Sequence, residues 1–373
     1  MHEKTMVIPL DLWILIAYQL QIQRNRESLL SLCMTSRAMN VSVTPFLYGK
    51  VELPTDPSVQ SFCRTIQDSG TRLGPFVRSL SIGSYSSYRC WNRLELDTSL
   101  ARSLGSALAS LPCLRELTVA LDPAGFSACF DPILTTDSPF SLHKLVIPLM
   151  GTSTFVGLLR SQSSIEELHV VSENNQFELS LALTLALDPE FLPNLTSITG
   201  PMVVLRAGVP RRPISEIMIV AELLDGADPS RSAMVIPSSN WEPVLSGSRV
   251  PITSIGFYQS PHSLDHWDLL LPALKQFGVD KSLERIRIVE TLEPPITERS
   301  KQETLLHRVN QMKTLHGFDR LESIECAEMH SNLPATDVLR WLGSMKSVGA
   351  WKKCVPSLKQ VRMYGVDLPW LKA

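Results

Sequence analysis

The sequence predicts an α/β chain in two parts: a short N-terminal three-helix module over residues 7–53, then an irregular solenoid of parallel strands and covering helices over residues 59–373. Three observations predict it. A dense apolar helical pattern is confined to the first stretch, a strand-like phrase recurs ten times after it, and helix-length apolar stretches fall between several of those phrases.

In the module, Pro9 is followed by Leu10, Leu12, Trp13, Ile14, Ile16, Ala17 and Leu20. These are positions three and four apart with extra apolar filling, which predicts a short, heavily buried helix beginning near Pro9, with Asp11 at its positive end. Arg24, Asn25, Arg26 and Glu27 interrupt the run. A second helix is expected through Leu29, Leu30, Leu32 and Cys33 and on to Met34 and Ala38, capped by Ser28. Val41 to Tyr48, with Pro45 just before Phe46, Leu47 and Tyr48, supplies the third helix, and Lys50 to Leu53 a strand-like exit. Three helices in about 45 residues give a small core, so the module is expected to lean on a neighbour or a partner.

Pro54, Asp56 and Pro57 mark a boundary, and Val59 to Ile66 a further helix. The recurring phrase then begins: an aliphatic residue, two variable residues, a second aliphatic, one residue, and a last apolar residue. Its central positions are Leu80, Leu117, Leu145, Leu168, Ile198, Ile217, Ile255, Ile286, Ile324 and Val361. A strand shows alternate residues on one face, so the central and last positions point into one core. The steps between centres are 37, 28, 23, 30, 19, 38, 31, 38 and 37 residues, room for a crossover helix in most of them. Helix candidates lie at Leu94–Leu111, Thr154–Leu159, Leu179–Leu187, Leu264–Phe277, Lys301–Leu315 and Val338–Met345. Strand, helix, strand at these intervals builds parallel strands joined by covering helices; an ordinary α/β sheet is the competing arrangement. Between Gly200 and Pro251, seven prolines break the regularity, and an insertion or loop flanked by one poorly formed repeat is expected there.

The module's residues resemble an F-box of the fungal type. The resemblance rests on Pro9, Leu10, Leu12, Trp13, Ile14, Ile16 and Leu20, then Leu29, Leu30 and Leu32, then Ser36-Arg37, Met39, Pro45, Leu47 and Tyr48, about an eighth of the chain. It departs from the family pattern in the order Pro9-Leu10, in Asp11 standing near the usual acidic position, and in Met39 where an aromatic residue is usual. The phrases that follow are similar to divergent leucine-rich repeats, several introduced by proline, as at Pro112, Pro193 and Pro356. The standard repeat carries an Asn a fixed few residues after its strand, and here only Asn174 comes near that role. The resemblance implies a docking surface for the Skp-type adaptor protein of a cullin-based ubiquitin ligase, with Pro9, Leu10, Leu12, Trp13, Ile14, Leu29, Leu32, Met39, Pro45 and Leu47 as adaptor-binding candidates. It implies that the repeats choose an unknown target protein. The alternative is a non-catalytic repeat scaffold whose N-terminal helices only cap the array.

Composition narrows the partners. With 44% hydrophobic residues the chain can bury a sizeable core, while 19% charged residues and a net charge of −2 supply no global field for nucleic acid or an anionic membrane. Seven scattered cysteines without a C-x-x-C pair suit a reducing cytoplasmic or nuclear compartment, and no apolar run reaches spanning length. Lys4 and the apolar segment after it superficially resemble a signal peptide, but Asp11 lies inside and no small-residue cleavage site follows.

No P-loop, dinucleotide fingerprint, H-E-x-x-H or nucleophile elbow occurs, so neither an enzyme, a cofactor nor a metal is expected. The densest group of potential ligands, His262, Asp265, His266 and Asp268, reads as the polar start of a helix capped by Ser263. Cys33, Cys326 and Cys354 read as core thiols, and Arg211-Arg212 as an exposed turn. Trp91, Trp241 and Trp370 fall in loop-like sequence and are the tryptophans most open to partner contact, although packing remains the larger expectation for all seven.

Overall fold

The structure, a computed structural model, describes residues 9–23, 25–69, 72–87, 90–134, 139–150, 152–171, 175–188, 190–220, 241–259, 266–290, 298–328 and 334–369. The chain divides into two compact units, one of Met1–Ser84, Asn92–Val146 and Thr152–Gln162, the other of Tyr85–Trp91, Ile147–Gly151 and Ser163–Ala373.

The first unit opens with α1 (Leu10–Ile22), α2 (Arg26–Thr35) and α3 (Arg37–Tyr48). The cap of α2 is Asn25, whose side chain accepts from Ser28 N, so Ser28 lies inside the first turn and is not the cap expected. Ser36 caps α3 by accepting from Met39 N, which ends α2 earlier than Ala38 and hands Ala38 and Met39 to the third helix. Ala17, Leu29, Cys33, Met39, Val43 and Leu47 form the module's core, with Trp13, Leu20, Leu32, Phe46 and Tyr48 packed against it.

The module runs without a break into a sheet. Strand β1 (Lys50–Leu53) pairs in parallel with β2 (Ser79–Ile82), Val51 beside Leu80. Between them come α4 (Asp56–Ser69) and a short 3₁₀ turn at Gly74–Phe76. After β2 the chain makes a two-stranded ribbon, β3 (Ser84–Ser87) with β4 (Cys90–Asn92). Then follow α5 (Thr98–Leu108), β5 (Glu116–Val119), α6 (Pro123–Leu134), β6 (Lys144–Pro148) and α7 (Ser153–Ser161). Leu80 pairs with Leu117 and Leu117 with Leu145, so the phrase centres lie side by side. Phe62 and Cys63 of α4, Leu104 and Leu108 of α5, Phe126 and Phe130 of α6 and Phe155 of α7 are all buried among the core residues of this unit.

The second unit continues the same grammar: β7 (Glu167–Val171), α8 (Asn175–Leu187), β8 (Ser197–Pro201), α9 (Met202–Gly208), β9 (Glu216–Val220), α10 (Glu242–Leu245), β10 (Ser254–Gln259), α11 (His266–Gln276), β11 (Arg285–Glu290), α12 (Glu298–Met312), β12 (Ser323–Glu328), α13 (Ala335–Leu342), α14 (Val348–Trp351), β13 (Gln360–Met363) and β14 (Val366–Asp367). Strands β7 to β13 are parallel neighbours in chain order. The centres again stand in register: Leu168 with Ile198, Ile198 with Ile217, Ile217 with Ile255, Ile255 with Ile286, Ile286 with Ile324, and Ile324 with Val361. The two-residue β14 turns back antiparallel across Tyr364-Gly365, both at positive φ, and shortens the exposed edge of the last full strand.

Each unit thus holds an open, mostly parallel sheet with helices between strands. Seven-residue α9 completes the shortest repeat, β8–α9–β9, and β9 pairs with strands on both sides. The poorly formed repeat expected beside the prolines is therefore well formed through Val220, and residues 221–240 lie outside the described residues. Asn174 also lies outside them. The structure shows what takes over an Asn ladder's work. The carbonyl just before one strand accepts two amides from the next repeat, as Gly49 O does from Arg78 N and Ser79 N, Arg78 O from Arg115 N and Glu116 N, and Thr253 O from Glu284 N and Arg285 N. The polar residue just before a phrase adds a side-chain bond: Asn194 Nδ2 donates to Ser163 O (3.1 Å), Ser282 Oγ to Ile252 O (2.7 Å) and Ser357 Oγ to Leu321 O (2.8 Å).

Candidate functional site

Helix α1 is apolar on nearly every side, and packing on one flank leaves apolar residues exposed on the other. At 100° per residue, Trp13, Ala17, Leu20 and Gln21 form the inward stripe. Ala17 is buried and the other three half-buried, and Gln21 Nε2 donates to Phe46 O (2.9 Å), pinning α1 to the end of α3. The opposite stripe is Leu12, Leu15, Ile16, Gln19 and Ile22, and all five are exposed, Leu15 by 59% and Ile22 by 57%. Leu12, Leu15, Ile16, Gln19 and Leu20 line an open apolar depression of about 440 Å³. Leu30 and Met34 of α2 and Val41 of α3 are exposed as well, Met34 by 86% and Val41 by 74%. Exposed large apolar side chains are thus gathered in this one small module.

The ten adaptor-binding candidates divide by position. Pro9, the residue before α1, and Leu12 are exposed; Trp13, Ile14, Leu32 and Pro45 are half-buried; Leu29, Met39 and Leu47 lie in the module's core. Leu10 opens α1. Leu15, Ile22, Met34 and Val41, which the family resemblance does not single out, carry much of the exposed apolar surface. A turn-by-turn count of apolar spacing along α1 could not single out Leu15 and Ile22, because both stripes satisfy the helical period.

The other candidates resolve differently. Cys33 is a core thiol, and burial pushes its pKa up despite a side-chain bond with Thr44. Cys326 is buried on β12, while Cys354 is half-buried and not the core thiol expected. The Arg211-Arg212 pair is not an exposed turn as a whole: Arg211 is exposed at positive φ, but Arg212 is 1% exposed. Its Nε donates to Phe191 O (2.8 Å), Nη1 to Gly208 O (3.0 Å), and Nη2 to Leu185 O and Asp188 O (both 3.0 Å). Burial lowers its pKa, yet a guanidinium stays charged throughout the working pH range. Trp241 is buried, and so is Trp351, whose Nε1 donates to Met345 O (2.7 Å), so both pack inside the fold; Trp341 is half-buried. His262 and Asp265 lie outside the described residues, and with them any geometry they share with His266 and Asp268. Trp370 lies outside them too, as do the side chains of Trp91 and Trp267. No helix among the described residues is long and apolar enough to cross a membrane.

Fold and site together define a class: an α/β repeat chain with open, mostly parallel sheets and a three-helix module whose first helix exposes an apolar face. No family model matches the chain, and no curated protein matches it. Among solved structures it is similar to the crystal structure of a protein from Bacteroides fragilis, at 13% identity and a TM-score of 0.39, over 89% of this chain and 78% of that one.

Proposed function

We propose that the chain is a substrate-recognition adaptor of a cullin-based ubiquitin ligase: the module binds a Skp-type adaptor protein, and through it a cullin, while the repeats hold a target protein. The supporting observation is the outward stripe of α1, where Leu12, Leu15 and Ile16 stand exposed around an apolar depression. Covering these three half-exposed side chains is worth about 3–5 kcal/mol, enough to anchor an interface. The chain would contribute proximity and orientation, holding its target beside a conjugating enzyme, and no covalent step of its own. This reading sets the protein in the cytoplasm or nucleus.

The test uses variants that leave the module's core intact. Full-length chain co-expressed with a Skp-type adaptor is expected to co-purify with it, and Leu15→Glu with Ile16→Glu to abolish co-purification while the thermal unfolding curve stays in place. Failure of the unaltered chain to associate, under conditions where a known F-box protein does, refutes the proposal and leaves the module as the cap of the array.

A further inference from the structure

Where the end of α1, the start of α2 and the end of α3 meet β1, the first unit holds a small cavity of about 150 Å³. Its floor is apolar: Leu29 and Leu47 are buried and Phe46 is half-buried. Half-buried Gln21 stands in the wall, and Arg26, Lys50 and Glu52, all exposed, stand around the mouth. A cavity of that size with an apolar floor has room for one small hydrophobic group, about a leucine side chain.

The polar groups select what can enter. Gln21 Nε2 is committed to Phe46 O (2.9 Å), which leaves Oε1 to accept and calls for an N–H on the ligand. Among the described residues the Arg26 side chain makes no hydrogen bond and no salt bridge, so its planar fork is open to a carboxylate. Lys50 is joined to Glu52 at 3.5 Å. The mouth thus has two cations to one carboxylate, and the open one is Arg26.

We propose that this cavity binds the C-terminal residue of a partner polypeptide, a branched aliphatic residue with a free carboxylate. In such a residue the side chain, the amide N–H and the carboxylate radiate from one carbon. The cavity offers a group to each: the floor of Leu29, Phe46 and Leu47, the Gln21 Oε1, and the Arg26 guanidinium. A phosphate dianion fits less well, because Glu52 shares the mouth. A short fatty acid satisfies the floor and Arg26 but brings no N–H to Gln21. The inference is independent of adaptor docking, since Leu12, Leu15 and Ile16 lie on the opposite stripe of α1 from Gln21.

The experiment is fluorescence anisotropy of the full-length chain with an N-terminally labelled Gly/Ser hexapeptide ending in leucine. The free acid is expected to bind at least about tenfold more tightly than the same peptide amidated at its C-terminus, and more tightly than one ending in glycine. Arg26→Gln is expected to abolish the preference for acid over amide, and Arg37→Gln, an exposed cation of the module outside the cavity, to keep it. If Arg26→Gln unfolds, the acid and amide peptides on the unaltered chain still decide. Equal affinity for acid and amide overturns the proposal, as does an undiminished preference in folded Arg26→Gln. Competition by isocaproate as strong as by the unlabelled acid peptide also overturns it, because that acid lacks the N–H. Adaptor co-purification measured on the Arg26 variant separates these outcomes from failure of the proposed function.

Discussion

Arg212 offers the sharpest test of what holds the second unit together. Its guanidinium ties the C-terminal turn of α8 (Leu185 O), the loop after it (Asp188 O and Phe191 O) and the end of α9 (Gly208 O) through four bonds of 2.8–3.0 Å. Its own carbonyl accepts from Arg249 N (2.9 Å) and Ser248 Oγ (3.1 Å), which carries the tie toward β10. Arg212→Ala strips four carbonyls of this donor where the side chain is buried, at about 1 kcal/mol each. Relief from burying a charge offsets part of this, leaving a net loss of about 3–4 kcal/mol. Repeat arrays lose stability locally, so the assay is amide hydrogen exchange on α8 and α9, for example at Val209 N, bonded to Leu205 O at 2.9 Å. Exchange there is expected to quicken by a factor on the order of 10²–10³, and Arg212→Lys, a single ammonium in place of the planar fork, by an intermediate factor. Exchange in Arg212→Ala within threefold of the unaltered protein would refute the reasoning, showing that the carbonyls find other donors.

Three further predictions concern Gly105 and the cysteines. Gly105 lets α5 lie against α6 so closely that a Cβ would sit 2.3 Å from Cys129 O, and Gly105→Ala is expected to cost about 1–3 kcal/mol, read by urea denaturation. Burial pushes the Cys63 thiol up to about 11 from 9.0, and raises Cys129 further. In the native protein at pH 8, iodoacetamide is therefore expected to modify half-buried Cys113 and Cys354 well before Cys63 or Cys129, as read by peptide mass mapping. Because the folded pKa of Cys63 lies above the unfolded one, its contribution is complete below pH 9 and is lost as pH rises from 9 to about 11, by roughly 2–3 kcal/mol. The loss should be smaller in Cys63→Ala.

The repeat was legible because strand burial writes itself into alternate residues. All ten centres proposed from the phrase lie in strands, and each described pairing between two of those strands sets centre beside centre. Helices were legible where an apolar face ran long enough, as in α5, α7, α8, α11, α12 and α13. Four escaped for local reasons. Helix α6 begins at Pro123 and carries Gly125 and Pro132, residues that read as breakers; α9, α10 and α14 have seven, four and four residues, too few to show a period. Arg212 was illegible for a different reason. Its acceptors lie 4 to 27 residues away along the chain, so nothing in the local sequence Pro-Arg-Arg-Pro tells a buried tie from a solvated turn.

The module poses the opposite problem, since its sequence signal was strong and yet did not say which residues face outward. The resemblance marks which positions are apolar; it does not separate the three candidates that lie in the core, Leu29, Met39 and Leu47, from Leu12, which faces out. On α1 both stripes obey the same spacing, and only the partner helices decide between them. Gln21 makes that decision visible: its bond to Phe46 O fixes the rotation of α1 against α3 and so turns Leu12, Leu15 and Ile16 outward. The same bond sits one turn from Gly49, where a Cβ would press to 2.7 Å from Pro45 O and 2.9 Å from Gln21 Nε2, and where the carbonyl accepts the amides of Arg78 and Ser79. Rotation of α1 and entry of the chain into the first strand are thereby set by one junction, so the exposed apolar face and the start of the sheet keep a fixed relation within the first unit.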